Sequence, residues 1–234
     1  MNHLTRRSLL SGAAALGLAA GAGAAAEGQL VWKSTDWKLA DFQALVSNPA
    51  RVKQVYDVVQ IGGGRFLNNV KNSLNGLEFG FGVPSGQIKI AVAMHGPANM
   101  LNCDDFIWSK YEIGAWLNVT DPETGKPAVR NLFLNSSKAA GKGYSSPDPN
   151  SEDSMYQDTS MQALRARGVQ FMCCHTATEE QARMLVRTRK LTQTPEDVVK
   201  EVLQHTVEGT LVVASMVAAI ALLQTEGHYT YITV

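Results

Sequence analysis

The stretch QIKIAVAMHG, residues 87–96, constrains the fold more than any other. From Ile88 to Met94 only Lys89 interrupts its apolar side chains. Strand side chains point alternately to opposite faces, so a strand this apolar must be covered on both of them. A sheet covered twice takes helices as its cover, and crossover connections through those helices leave the strands parallel.

The rest of the chain supplies such a sheet. VKQVYDVVQI (52–61), GVQFMCC (168–174), TLVVAS (210–215) and YTYITV (229–234) are further runs of strand length. Between them the period changes. Phe66, Val70, Leu74 and Leu77 mark one helix face, and Val198, Val199, Val202 and Leu203 mark another behind Pro195. MVAAIALLQTEG (216–227) forms the helix before the last strand. Pro97 suits the first turn of a helix after the second strand. Thr178 and Gln181 have capping-box spacing for the helix after the third. The predicted fold class is α/β, a three-layer α/β/α sandwich with a mainly parallel five-stranded sheet.

The predicted domain spans 52–234. Residues 27–51 form an N-terminal arm anchored by Trp32, Trp37 and Phe42, with a short helix at LADFQALV that ends before Pro49. Residues 118–154 are rich in Gly, Pro, Ser and Asp and read as a long loop or insertion, a lid or a subunit contact, near the carboxyl edge of the sheet. There is no internal repeat.

The first 26 residues read as an address. TRRSLLSGAAALGLAAGAGAAAEG carries Arg6 and Arg7, an apolar run from Leu9 to about Ala20, and small residues up to Ala26. That order is an export signal of the twin-arginine type, which predicts a periplasmic protein. The run is too short and too rich in Ala and Gly for a spanning helix, and no later segment is apolar enough, so no stable membrane span is expected after cleavage. The remaining chain has 19 Lys and Arg against 21 Asp and Glu, a net charge of −2 that offers nothing to nucleic acid. Twin-arginine export carries folded proteins, often with a cofactor, which raises the expectation of a bound group without naming one. The oxidising compartment also matters for Cys103, Cys173 and Cys174, because an odd count leaves one thiol free or paired with another chain.

Ligands of open parallel sheets bind outside the carboxyl ends of the strands. Three predicted ends carry distinctive residues: His95-Gly96, Cys173-Cys174-His175 and Ser215. Cys174, at the turn into a helix, is the best nucleophile, since a helix amino end and a nearby imidazolium both favour thiolate. His95 or His175 could supply that charge, and His95 suits general acid/base work. Cys173 should face the opposite way if the strand continues that far, yet it offers an alternative or partner thiol. With His175, Gly96 and Ser215 it is a candidate to bind the ligand, Gly96 and Ser215 lining the pocket.

A metal set of His95, Cys174 and His175, for zinc, copper or haem iron, stays open. Nothing in the sequence requires one, since zinc-knuckle and C-x-x-C-H spacings are both missing. Cys103 reads as core, on a helix after the His-Gly turn, His205 as a solvated helix-end residue, and His228 carries little information. Gly62-Gly63-Gly64 reads as a tight turn. Phe66 and Leu67 break the G-x-G-x-x-G spacing, and no P-loop lysine follows.

IKIAVAMHG, LRARGVQFMCCHTAT and LVVASMVAAIALLQTEGHYTYI together resemble the DsrE/DsrF-like family. The family pattern is an apolar strand ending in His-Gly, a GV-x-F-x-x-C strand, and a closing Leu- and Gln-rich helix before G-x-x-Y-I. Here one extra residue follows Gly227. The likeness covers about residues 52–234 apart from 109–160, which is longer than in compact relatives. It implies a three-layer fold, homo-oligomers (trimers or hexamers), and a functional cysteine at Cys174, which in some relatives carries persulfide sulfur. The leading expectation is an exported, soluble sulfur-handling or thiol-redox protein, with sulfane sulfur or a reversible disulfide on Cys174 and His95 in the same pocket. Its partner would be a small sulfur-containing ligand or a redox protein. The alternatives are a periplasmic metal- or haem-binding protein without catalysis, and an oligomeric scaffold with a vestigial site.

Overall fold

A computed structural model describes residues 35–137 and 143–234. The export segment, Trp32 and part of the long loop lie outside the described residues. The elements follow in the order α1 (Leu39–Val46), β1 (Val52–Val58), α2 (Arg65–Asn75), β2 (Ile88–Met94), α3 (Asp105–Lys110), α4 (Ile113–Trp116), α5 (Met161–Ala166), β3 (Gln170–Cys174), α6 (His175–Arg189), α7 (Pro195–Gln204), β4 (Leu211–Val213), α8 (Met216–Thr225) and β5 (Thr230–Thr233).

The five strands form one sheet in the order β4-β3-β2-β1-β5, and every pair is parallel. The chain steps across the sheet from β1 to β4, then returns over it to place β5 beside β1. Two apolar clusters show which helices cover which face. Tyr56, Val58, Ile90, Val92, Met94 and Phe171 pack with α2, α5, α6 and α7, and with Trp108 and Ile113 of α3 and α4. Val55, Ala91, Ala93, Met172 and Cys174 pack with Phe42 and Leu45 of α1 and Met216, Ala219, Ile220 and Leu223 of α8. The α/β class and the five-stranded parallel sheet expected from the sequence are what the chain adopts.

Local chemistry explains most element ends. Thr194 caps α7 with a full capping box, its Oγ1 accepting from the Asp197 amide while the Asp197 carboxylate accepts from Thr194, and Pro195 fills the first turn. Gly62 and Gly63 have positive φ and Gly64 N–H donates to Ile61 O, so the triglycine is a tight left-handed turn. After β2, Pro97 starts short 3₁₀ turns over Gly96–Asn102 rather than an α-helix. Cys103 lies at their end, in extended backbone bridged to Thr206. The 118–154 region holds no helix or strand among its described residues, only the isolated Thr120–Pro127 bridge.

Candidate functional site

The helix after β3 goes to one face of the sheet, and the helix after the neighbouring β4 goes to the other. The β3/β4 boundary is therefore a topological switch point, where open α/β sheets leave a crevice. Cys174 stands on it. Its Sγ accepts from the Ala177 amide of α6 at 3.4 Å and from the Met216 amide of α8 at 3.3 Å. The thiol thus takes the N-cap place of α6, where a Ser or Thr oxygen more often sits. Thr178, expected in that place, lies inside the helix, and its hydroxyl donates back to Cys174 O at 3.0 Å.

The Cys174 side chain is almost covered, at 5 % exposure for the residue. Burial pushes its thiol above the ordinary range, against the pull of the Ala177, Met216 and Thr176 amides, and the Glu180 carboxylate pushes it further. At neutral pH it is a thiol. An anion formed on this sulfur would meet amides from two helix starts, each with its dipole pointed favourably.

His95 continues β2 in extended backbone, and its N–H donates to Val58 O at 3.1 Å. The β2–β3 ladder ends at the Met94–Cys173 pair, and His95 and Cys174 are the next residues along the two adjacent strands. They share one face by alternation, and no hydrogen bond joins the two side chains. His95 Nε2 instead meets Asp57 Oδ1 at 2.7 Å, and Asp57 Oδ2 accepts from the Tyr231 hydroxyl at 2.5 Å. With its Nε2 proton held by Asp57, a neutral His95 keeps Nδ1 as an acceptor, the orienting arrangement of catalytic triads. Asp57 and Tyr231 were not among the residues singled out from the sequence.

The remaining candidates separate. Cys173 is 1 % exposed on the opposite face, beside the Thr178 hydroxyl at 3.7 Å, and burial pushes its thiol up to about 12. With its side chain across the sheet from that of Cys174, it does not share the Cys174 crevice. His175 is fully buried and ties down the arm: Nε2 lies 2.8 Å from Asp36 Oδ2, Nδ1 3.4 Å from Glu179 Oε1, and Trp37 packs edge-on at 5.2 Å. Gly96 has φ +52°, and a Cβ there would approach Val59 Cγ1 to 3.0 Å. Its carbonyl accepts from Gln181 at 2.6 Å. Ser215 stands before α8 without capping it, half-buried next to Met216.

Asn99, also missed in the sequence, links the pieces. It is fully buried, its Oδ1 accepts from the Cys174 amide at 2.8 Å, and its Nδ2 donates to Thr178 and Gln181. Its signal was an amide in an apolar stretch directly after His-Gly-Pro. His205 pairs with Asp104 at 2.8 Å and stacks on Phe106.

Among the described residues no group of three His, Cys, Asp or Glu is placed to hold a metal ion. His95 and His175 each spend Nε2 on a carboxylate, so the set of His95, Cys174 and His175 does not converge. Nor is any described helix long and apolar enough to cross a membrane. A cleft of about 950 Å³ lies elsewhere along the carboxyl edge, between the triglycine turn and the long loop. Phe133 closes it by packing on Gly64, where a Cβ would come within 2.5 Å of the ring. Among the described residues of its lining, Asp121, Glu123 and Asp158 stand against Arg130. No family model, curated protein or solved structure matches the chain.

Proposed function

We propose that the chain is an exported, DsrE/DsrF-like protein that handles sulfur on Cys174, working as a homo-oligomer in the periplasm. The observation that carries this reading is the position of the Cys174 sulfur, held between two helix amino ends at the switch point and one strand away from His95. The depth of the thiol favours a small sulfur species over a bulky protein disulfide partner. A disulfide to Cys173 is disfavoured as well, because the two side chains leave opposite faces of the strand.

The step is a sulfane transfer. Cys174 gives its proton to His95 Nδ1, and the thiolate attacks the outer sulfur of a persulfide donor. The donor's S–S bond breaks, its thiolate recovers the proton from His95, and Cys174 is left as the persulfide. Asp57 holds the His95 tautomer and steadies the transient imidazolium.

The test is the intact mass of protein purified from the periplasm and exposed to polysulfide or thiosulfate. The expected result is a gain of one sulfur that reductant removes and that Cys174→Ser abolishes. Protein that never gains sulfur would leave the scaffold reading in place.

A further inference from the structure

Tyr231 stands on β5, Asp57 on β1, His95 directly after β2 and Cys174 at the end of β3, and the sheet order puts those four strands side by side. Register sets the first three residues in a slanted row. Tyr231 is level with Val55, two residues before Asp57, and Asp57 is level with Ala93, two residues before His95. Steps of two keep the side chains of a strand on one face, so the row lies on the face that carries Val55, Ala93 and Cys174.

The contacts run along this row. Asp57 gives one oxygen to each neighbour: Oδ1 lies 2.7 Å from His95 Nε2, and Oδ2 accepts from the Tyr231 hydroxyl at 2.5 Å. The Asp57 and His95 side chains are 18 % and 21 % exposed, so water reaches both. Asp57 is the charged group that meets the His95 ring. Of the helices over this face, α8 has no charged residue, and the acid of α1, Asp41, is exposed. Glu180 of α6 acts on Cys174. The bond to Asp57 pushes the Tyr231 hydroxyl above its ordinary range, so it keeps its proton and goes on donating at neutral and mildly alkaline pH.

We propose that Tyr231 is a positioning residue for His95, acting through Asp57. A hydroxyl donated to Oδ2 turns Oδ1 toward the ring and draws off part of the carboxylate charge. Both effects favour one state of His95, neutral with its proton on Nε2 and a lone pair on Nδ1. Without the hydroxyl the full carboxylate charge falls on the ring, and the imidazolium, which has no lone pair to offer a thiol proton, gains ground. The inference concerns the Tyr231–Asp57–His95 row; that His95 then serves Cys174 rests on the sulfur-handling reading above.

Ring-nitrogen NMR of the intact chain against pH tests it, with the His95 signals identified by their loss in His95→Gln. Tyr231→Phe removes one oxygen and keeps the ring. It should raise the midpoint of the His95 titration by about half to one pH unit, a three- to tenfold gain in proton affinity. The pH profile of sulfur uptake from polysulfide should move the same way by the same amount. Thr230→Val, on the same strand with its side chain on the other face, should move neither. A midpoint that stays or falls in Tyr231→Phe, or that rises equally in Thr230→Val, overturns the proposal. The NMR titration needs no sulfur. A chain that shows the shift but never takes up sulfur keeps the row and loses the sulfur reading, and a chain that takes up sulfur without the shift does the reverse.

Discussion

Cys173 and Cys174 are neighbours in the chain, yet they belong to different halves of the molecule. Cys173 looks toward the face covered by α2, α5, α6 and α7, where Trp108, Phe171 and Leu164 are fully enclosed. Cys174 looks toward the face that, among the described residues, α1 and α8 cover together with Ala177 at the start of α6. On the first face a thiol is one more apolar side chain in a deep core. On the second it sits at a sheet boundary where two helices part and their amides turn inward. One step along a strand, with no change of residue type, moves a thiol from one core to a sheet boundary where amides of two helix starts meet its sulfur.

The comparison can be broken in several ways. The largest effect belongs to the thick face: Trp108→Ala removes a fully buried ring and its hydrogen bond to Met100 O, and should cost about 3–5 kcal/mol in urea unfolding. Val217→Ala on the outer side of α8, a residue 67 % exposed, should stay within about 0.5 kcal/mol. Equal losses would mean that Trp108 is not a buried anchor of the thick face.

Thiol reactivity sharpens the contrast directly. A small alkylating reagent should modify Cys174 at least about tenfold faster than Cys173 or Cys103, because Cys174 is the least buried of the three and the thiolate is the reacting form. Burial raises all three thiols, so the rate should climb as pH rises through the alkaline range. Peptide mapping of the label against pH reads both points, and faster labelling of Cys173 would reverse the assignment.

The same shift has a consequence for stability. Cys173 is pushed up to about 12 in the folded chain, against about 8.5 for an ordinary thiol. Between those values the unfolded chain releases the proton and the folded chain keeps it. The stabilising contribution is thus complete below pH 8.5 and is lost as pH rises toward 12. Cys173→Ala should flatten this alkaline loss more than Cys174→Ala does, as measured by urea midpoints from pH 8 to 11. A moderate effect is expected at the rim. Asp57→Asn should cost about 1–2 kcal/mol and change the ring-nitrogen NMR signature of His95 as the carboxylate acceptor is lost.

Much of this layout was legible in the sequence, for physical reasons. Buried parallel strands leave apolar runs with few breaks, α1 fills the LADFQALV stretch, and the Pro195 helix begins at the capping box of Thr194. The alternation of strand side chains was enough to send Cys173 and Cys174 to opposite faces. Side-chain partnerships were harder to read. Asp57 looked like an ordinary polar interruption in a β-branched run, and its role depends on β1 lying between β2 and β5, which pairs residues 38 and 174 positions away with it. Capping-box spacing pointed to Thr178, but tertiary contacts put Cys174 at the cap and drew Gln181 to Gly96 and Asn99. His175 drew attention beside the cysteines, yet the arm claims its ring through Asp36 and Trp37.

The most direct measurement is site-resolved mass spectrometry of polysulfide-treated protein, with the fragment ions that separate Cys173 from Cys174. The added sulfur should reside on Cys174, survive Cys173→Ser, and fall away in Asp57→Asn as His95 loses its orienting partner. Sulfur found on Cys173 or Cys103, or on no cysteine at all, would contradict a reactive thiol at the β3/β4 boundary.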